Sequence, residues 1–164
     1  MAAMSTETLS IGLDARKLTD YGIGTYVCSL TEDQMRAYRG TGSLLKGLSS
    51  RPEVKMTVLA RAGHEDRVAG LAPEAKVISV SAREYSVAEH YTVPAVLWRE
   101  KIDVFHVPHY VVPFAIRHPV VATVHDVIQL YYPPQRRTQL ALLYLRMVMG
   151  STLSRARRVI TGSL

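Results

Sequence analysis

Apolar positions along the chain fall into short β-branched runs separated by longer stretches of helical period. Residues 8–13 (TLSIGL), 54–59 (VKMTVL), 75–80 (AKVISV), 102–107 (IDVFHV), 120–124 (VVATV) and 158–161 (RVIT) predict strands. Helical period fills about 23–50, 64–71, 86–99 and 138–154. Strand and helix in alternation imply parallel βαβ units with right-handed crossovers, and so an α/β fold with a doubly wound, mostly parallel sheet of about six strands. Residues 31–43 (TEDQMRAYRGTGS) fit least well, because the stretch is polar and places Gly40 and Gly42 where a helix should be continuous. It reads as a break or an inserted loop.

In a doubly wound sheet, ligands bind outside the carboxyl ends of the strands. The loops expected there hold the unusual residues: 14–24 (DARKLTDYGIG), 108–113 (PHYVVP) and 125–134 (HDVIQLYYPP). The loops at the other end, such as 50–53 (SRPE), are plain turns by composition.

Length and composition narrow the classes. The chain has 164 residues, which corresponds to one domain, and 48% of them are apolar against 21% charged, which excludes a disordered or fibrous chain. Cys28 is the one cysteine, so neither an intrachain disulfide nor a thiol metal cluster can form, and a reducing cytoplasmic compartment fits. The longest apolar run near the end, 140–145, is far shorter than the ~20 residues a membrane span needs. Charge is lopsided. Residues 1–100 hold 12 basic and 12 acidic side chains, whereas residues 101–164 hold 8 and 2, so the net +6 belongs to the last 64 residues. That region could attract phosphate, anionic lipid, nucleic acid or an acidic partner segment; a solvated helix face is the blander alternative. The segment 140–149 (LALLYLRMVM), flanked by arginines, likewise reads either as a core helix with basic ends or as a helix on a membrane surface, and the core reading is preferred.

Three constellations carry candidate chemistry. Gly22, Ile23 and Gly24 stand between the first strand and a helix start, where glycines admit close approach of a ligand and helix N–H groups face an anion. The pattern is neither G-x-G-x-x-G nor a Walker loop, so a tight turn is the equal alternative. His125 and Asp126 end the fifth strand, at the mouth of the expected crevice; the histidine can hydrogen-bond a sugar hydroxyl or phosphate, and Asp126 can orient the loop. His106 and His109 lack an acidic or cysteine ligand at suitable spacing, so a metal site is not expected, and His109 with Tyr110 reads as a wall of the crevice.

Taken in chain order, IGLDARKLTDYGIGTYV, DVFHVPHYVVP, VVATVHDVIQLYYP and RARRVITGS resemble the amino-terminal half of retaining family 4 glycosyltransferases with the GT-B fold. The similarity covers nearly all of the chain except about 31–43. It implies that residues 1–164 form a single Rossmann-like, acceptor-side domain lacking the carboxy-terminal donor-binding domain, and inactive by itself. The donor implied is a UDP- or GDP-linked sugar, with no metal and no covalent cofactor. On the resemblance, Gly22, Ile23 and Gly24 approach the donor diphosphate and the acceptor. His125 bonds the transferred sugar, Asp126 holds the loop, and His109 and Tyr110 face a sugar or lipid-linked acceptor. The implied partner is a carboxy-terminal domain or a separate chain supplying donor binding, at the cytoplasmic face of a membrane or free of it; nucleic acid is not expected. Two alternatives stay open: one subunit of a split glycosyltransferase, or a non-catalytic module binding anions or lipid.

Overall fold

The expected strands form because β-branched and aliphatic residues pack well on a pleated surface, and the central parallel strands, covered on both faces, need near-continuous apolar runs; the last, 158–161, is exposed along its whole length. A computed structural model describes residues 8–18, 44–125, 127 and 138–161. In chain order the elements are β1 (Leu9–Asp14), α1 (Leu44–Ser49), β2 (Val54–Arg61), α2 (Glu65–Leu71), β3 (Lys76–Val80), α3 (Glu89–Leu97), β4 (Val104–Val107), β5 (Val120–Val124), α4 (Gln139–Arg155) and β6 (Arg158–Thr161).

All strands pair in parallel in one sheet of order β3-β2-β1-β4-β5-β6, a Rossmann-like doubly wound fold. The order reverses between β1 and β4, which pair with Ile11 opposite Val104 and Leu13 opposite His106. Outside the carboxyl ends of these two strands lies the crevice that such a reversal opens.

Alternation along β2 sends Met56, Val58 and Ala60 toward α1 and α2, where Leu45 and Val68 bury against them. Leu59 points the other way, into a cluster with Val93 and Leu97 of α3 and with Phe105 and Val107 of β4. Gly12 of β1 lies under that second cluster; a Cβ there would stand 2.7 Å from Ile102 Cδ1. Helix α4 packs Leu145, Val148 and Met149 against Val124 and the chain after β4. It begins on an N-cap in which Thr138 Oγ1 accepts from Ala141 N–H at 3.2 Å. No described helix is long and apolar enough to cross a membrane.

Candidate functional site

Asp14 is the last residue of β1, and its fully buried carboxylate is gripped by the residues that follow. Arg16 donates from Nε to Oδ1 at 2.9 Å and from Nη2 to Oδ2 at 2.6 Å, a bidentate pair, and the Arg16 backbone N–H adds a third bond to Oδ1 at 3.2 Å. Arg16 Nη2 also reaches Glu89 Oε2, 3.1 Å away at the first residue of α3. The other Glu89 oxygen accepts from the backbone N–H of Tyr85 at 2.9 Å. A buried chain of carboxylate, guanidinium and carboxylate thus ties the end of β1 to the loop before α3.

His109 enters from the end of β4. Its Nδ1 accepts from the Val111 backbone N–H at 3.1 Å, which puts the ring proton on Nε2, 3.5 Å from Asp14 Oδ2. Burial holds His109 below the ordinary histidine range, against the pull of Asp14 toward the charged form. Burial also opposes the charge on Asp14, but Arg16 and the His109 Nε2 facing it at 3.5 Å outweigh it and keep that carboxyl well below the usual range. Glu89 comes out differently. Burial and the nearby Asp14 charge overcome Arg16 and push its carboxyl up to about 7. Among the described residues, Arg16 Nη1 and His109 Nε2 are buried side-chain atoms with no hydrogen-bond partner.

Tyr85 stands over this cluster. Its backbone is in the left-handed region at φ 60, a conformation that bulky residues rarely adopt. Its ring lies 3.6 Å from Lys17 Nζ, 6.1 Å from the Tyr110 ring and 6.2 Å from the His109 ring. Beside it opens a cleft of about 240 Å³, walled by Tyr85, Tyr110, Tyr144, Leu145 and Val148. The Tyr110 wall is pinned from α4: Thr152 Oγ1 donates to Tyr110 O at 2.8 Å and accepts from Val112 N–H at 3.0 Å. Tyr144 is held through its hydroxyl by His90 Nε2 at 2.7 Å.

Of the residues singled out in the sequence, His109 and Tyr110 come together at the end of β4, His109 buried against Asp14 and Tyr110 bordering the cleft. His125, exposed at the end of β5, donates from Nε2 to the Pro108 carbonyl at 3.2 Å, which ties it to the start of the same β4 loop. His106 is turned away: its Nε2 meets Thr123 Oγ1 at 2.9 Å within the sheet, and burial, aided by His125, lowers it to about 4. Gly22, Ile23, Gly24, Cys28 and Asp126 lie outside the described residues. Among the described residues no group of three or more His, Cys, Asp or Glu side chains is arranged to hold a metal ion.

Sequence reasoning missed Arg16, Tyr85 and Glu89. A charged triplet, Asp14, Arg16 and Lys17, directly after an apolar strand was the available signal for the first. Glu89 had none, since its partner is 73 positions away. Compared with protein-family models, curated proteins and solved structures, the chain matches none.

Proposed function

We propose that the chain is the acceptor-side domain of a retaining glycosyltransferase that uses a nucleotide-diphosphate sugar. The observation that supports this best is the strand order. With β1, β4 and β5 adjacent, the loops beginning at Asp14, Pro108 and His125 open on one edge of the sheet, at the reversal where doubly wound folds bind ligands. Those three loops lie in three of the four segments on which the resemblance rests, in the same chain order.

In this reading His125 hydrogen-bonds the transferred sugar, while His109, kept neutral, and Asp14 form the floor beneath it. The roles of Asp126 and of Gly22, Ile23 and Gly24 rest on the resemblance alone. The donor is a UDP- or GDP-linked hexose, brought by a carboxy-terminal domain or a second chain, and the setting is cytoplasmic. Catalysis is then positioning plus electrostatic stabilisation of the departing diphosphate.

An NMR titration of the isotope-labelled chain, joined to the domain or partner chain that supplies donor binding, with UDP-glucose and GDP-mannose tests the placement of the site. Shifts are expected at 15–18, 109–111 and His125, with Trp98 at the opposite end of the sheet unmoved. Shifts confined to the opposite end, or none with either donor, would contradict the reading.

A further inference from the structure

The helices on the two sides of the sheet differ in what they show to solvent. Among the described residues, α1 and α2 present no exposed large hydrophobic side chain. Helices α3 and α4 share the other side, joined where His90 meets Tyr144, and both are apolar on the outside as well as the inside. On α4, Leu140, Leu143 and Met147 are spaced by three and four, so they form one stripe, 54–74% exposed, while Leu145, Val148 and Thr152 lie buried on the opposite face. On α3 and its C-cap, Tyr91 and Trp98 stand seven apart on the face turned away from the buried Val93 and Leu97, and both are exposed. An apolar surface spread over two neighbouring helices marks an interaction site, because covering it removes it from water.

Charge decides what covers it. No acidic residue occurs after Asp126, so arginines are the only charged side chains of α4 and β6. Arg146 is exposed beside Met147, Arg157 and Arg158 are exposed beyond the helix end, and Arg117 stacks on the Trp98 ring at 4.1 Å. The carboxylates on the α3 side are already paired, Glu89 with Arg16, Glu84 with Arg61 and Glu100 with Lys76. A second copy of the chain would set arginine against arginine. Nucleic acid, bound through its phosphates, would gain nothing from a stripe of leucine and methionine. Leu140, Leu143, Met147 and Tyr91 line neither the 240 Å³ cleft nor the one beside Trp98; they stand proud of the helices, which suits a fluid acyl layer rather than a protein whose anchors need matching pockets. Acyl chains take the stripe, lipid phosphates take the guanidinium heads on their flexible stems, and tryptophan and tyrosine sit at headgroup level.

We propose that the outer face of α3 and α4 docks on a bilayer surface rich in anionic lipid, with both helices lying flat against it. The inference stands apart from the transferase reading: it concerns the outside of a helix layer rather than the strand ends, and its probe holds no sugar, so the two fail separately.

Trp98, the only tryptophan in the sequence, is the reporter. With vesicles of phosphatidylglycerol and phosphatidylcholine in equal parts, its emission is expected to move to shorter wavelength and to be quenched by lipids brominated on the acyl chain, and partitioning onto phosphatidylcholine alone is at least tenfold weaker. The double variant Leu143→Asp with Met147→Asp, at exposed positions, keeps the wild-type Tm and loses partitioning tenfold or more. Arg146→Glu, also exposed, weakens it at least threefold. Three results would overturn the proposal: equal partitioning onto the two kinds of vesicle, partitioning unchanged in either variant, or none onto either vesicle, whether the chain stays monomeric or pairs through this face into a dimer that the double variant splits.

Discussion

Arg16 and Glu89 are 73 residues apart in sequence and 3.1 Å apart in the fold, and both side chains are fully buried. The contact joins the first loop of the sheet to the start of α3 across the switch point, and Asp14 shares the same guanidinium. A buried ion triad is weak evidence for net stability, but breaking it from one side is costly, because the remaining charges have no water to turn to.

Arg16→Met therefore strands two carboxylates and is expected to lower unfolding stability by about 3–5 kcal/mol, read by urea denaturation. Adding Asp14→Asn and Glu89→Gln to Arg16→Met restores most of the loss. A single Arg16→Met variant as stable as wild type would mean the triad does not hold the loop.

Glu89 gives the triad a pH signature. Its folded-state pKa of about 7 lies above the ordinary 4.5, so the folded chain keeps a proton that the unfolded chain releases between those values. With more protons bound when folded, stability attributable to Glu89 is fully present below about 4.5 and falls as pH rises to about 7. His106, lowered to about 4, acts with the opposite sign, its contribution falling as pH drops below 6.5. Comparing Glu89→Gln with wild type cancels His106. The variant gains relative stability by up to about 3 kcal/mol between pH 4.5 and 7, and parallel stability curves would refute the raised pKa.

Gly12 is the tightest of the described glycines. An alanine Cβ would meet Ile102 Cδ1 at 2.7 Å and Phe105 Cδ2 at 3.0 Å, both in the core between β1 and α3. Gly12→Ala is expected to cost ~1–3 kcal/mol, and Ile102→Val, which removes the nearer atom, recovers part of it in the double variant. Simple additivity of the two losses would show that the contact does not set the cost.

The sheet was legible because each strand is a self-contained apolar run. Residues 54–59, 120–124 and 158–161 lie within or coincide with β2, β5 and β6. At the fourth strand the expected start, Ile102, comes two residues early: the Asp103 carboxylate takes the Ser10 N–H at 2.8 Å, and the ladder begins at Val104. The third helical segment was expected from 86 and starts at Glu89, because Tyr85 turns left-handed and the Glu89 side chain captures its N–H. Of the expected helix at 23–50, the structure describes Leu44–Ser49.

His109 and Tyr110 could be found from their position alone, since any residue directly after a central strand borders the crevice. Arg16 had only the charged triplet after β1 to mark it, and Tyr85 and Glu89 could not be found. Their contacts join segments far apart in sequence, which leave no periodicity and no spacing to read, and the strain at Tyr85 is a property of the fold rather than of the residue type.

His125 is where the functional reading is most exposed to refutation. Its Nε2 bonds the Pro108 carbonyl, and its side chain is exposed at the end of β5, so removing it should leave folding nearly intact. The deciding measurement is turnover of UDP-glucose and GDP-mannose by the native polypeptide with its donor-binding partner, with the anomeric configuration of the released or transferred hexose read by NMR. Retained configuration, together with a His125→Ala variant of unchanged Tm and turnover reduced by about tenfold or more, is the expected result. Inverted configuration, or His125→Ala turnover equal to wild type, would contradict a retaining transferase working at this edge of the sheet.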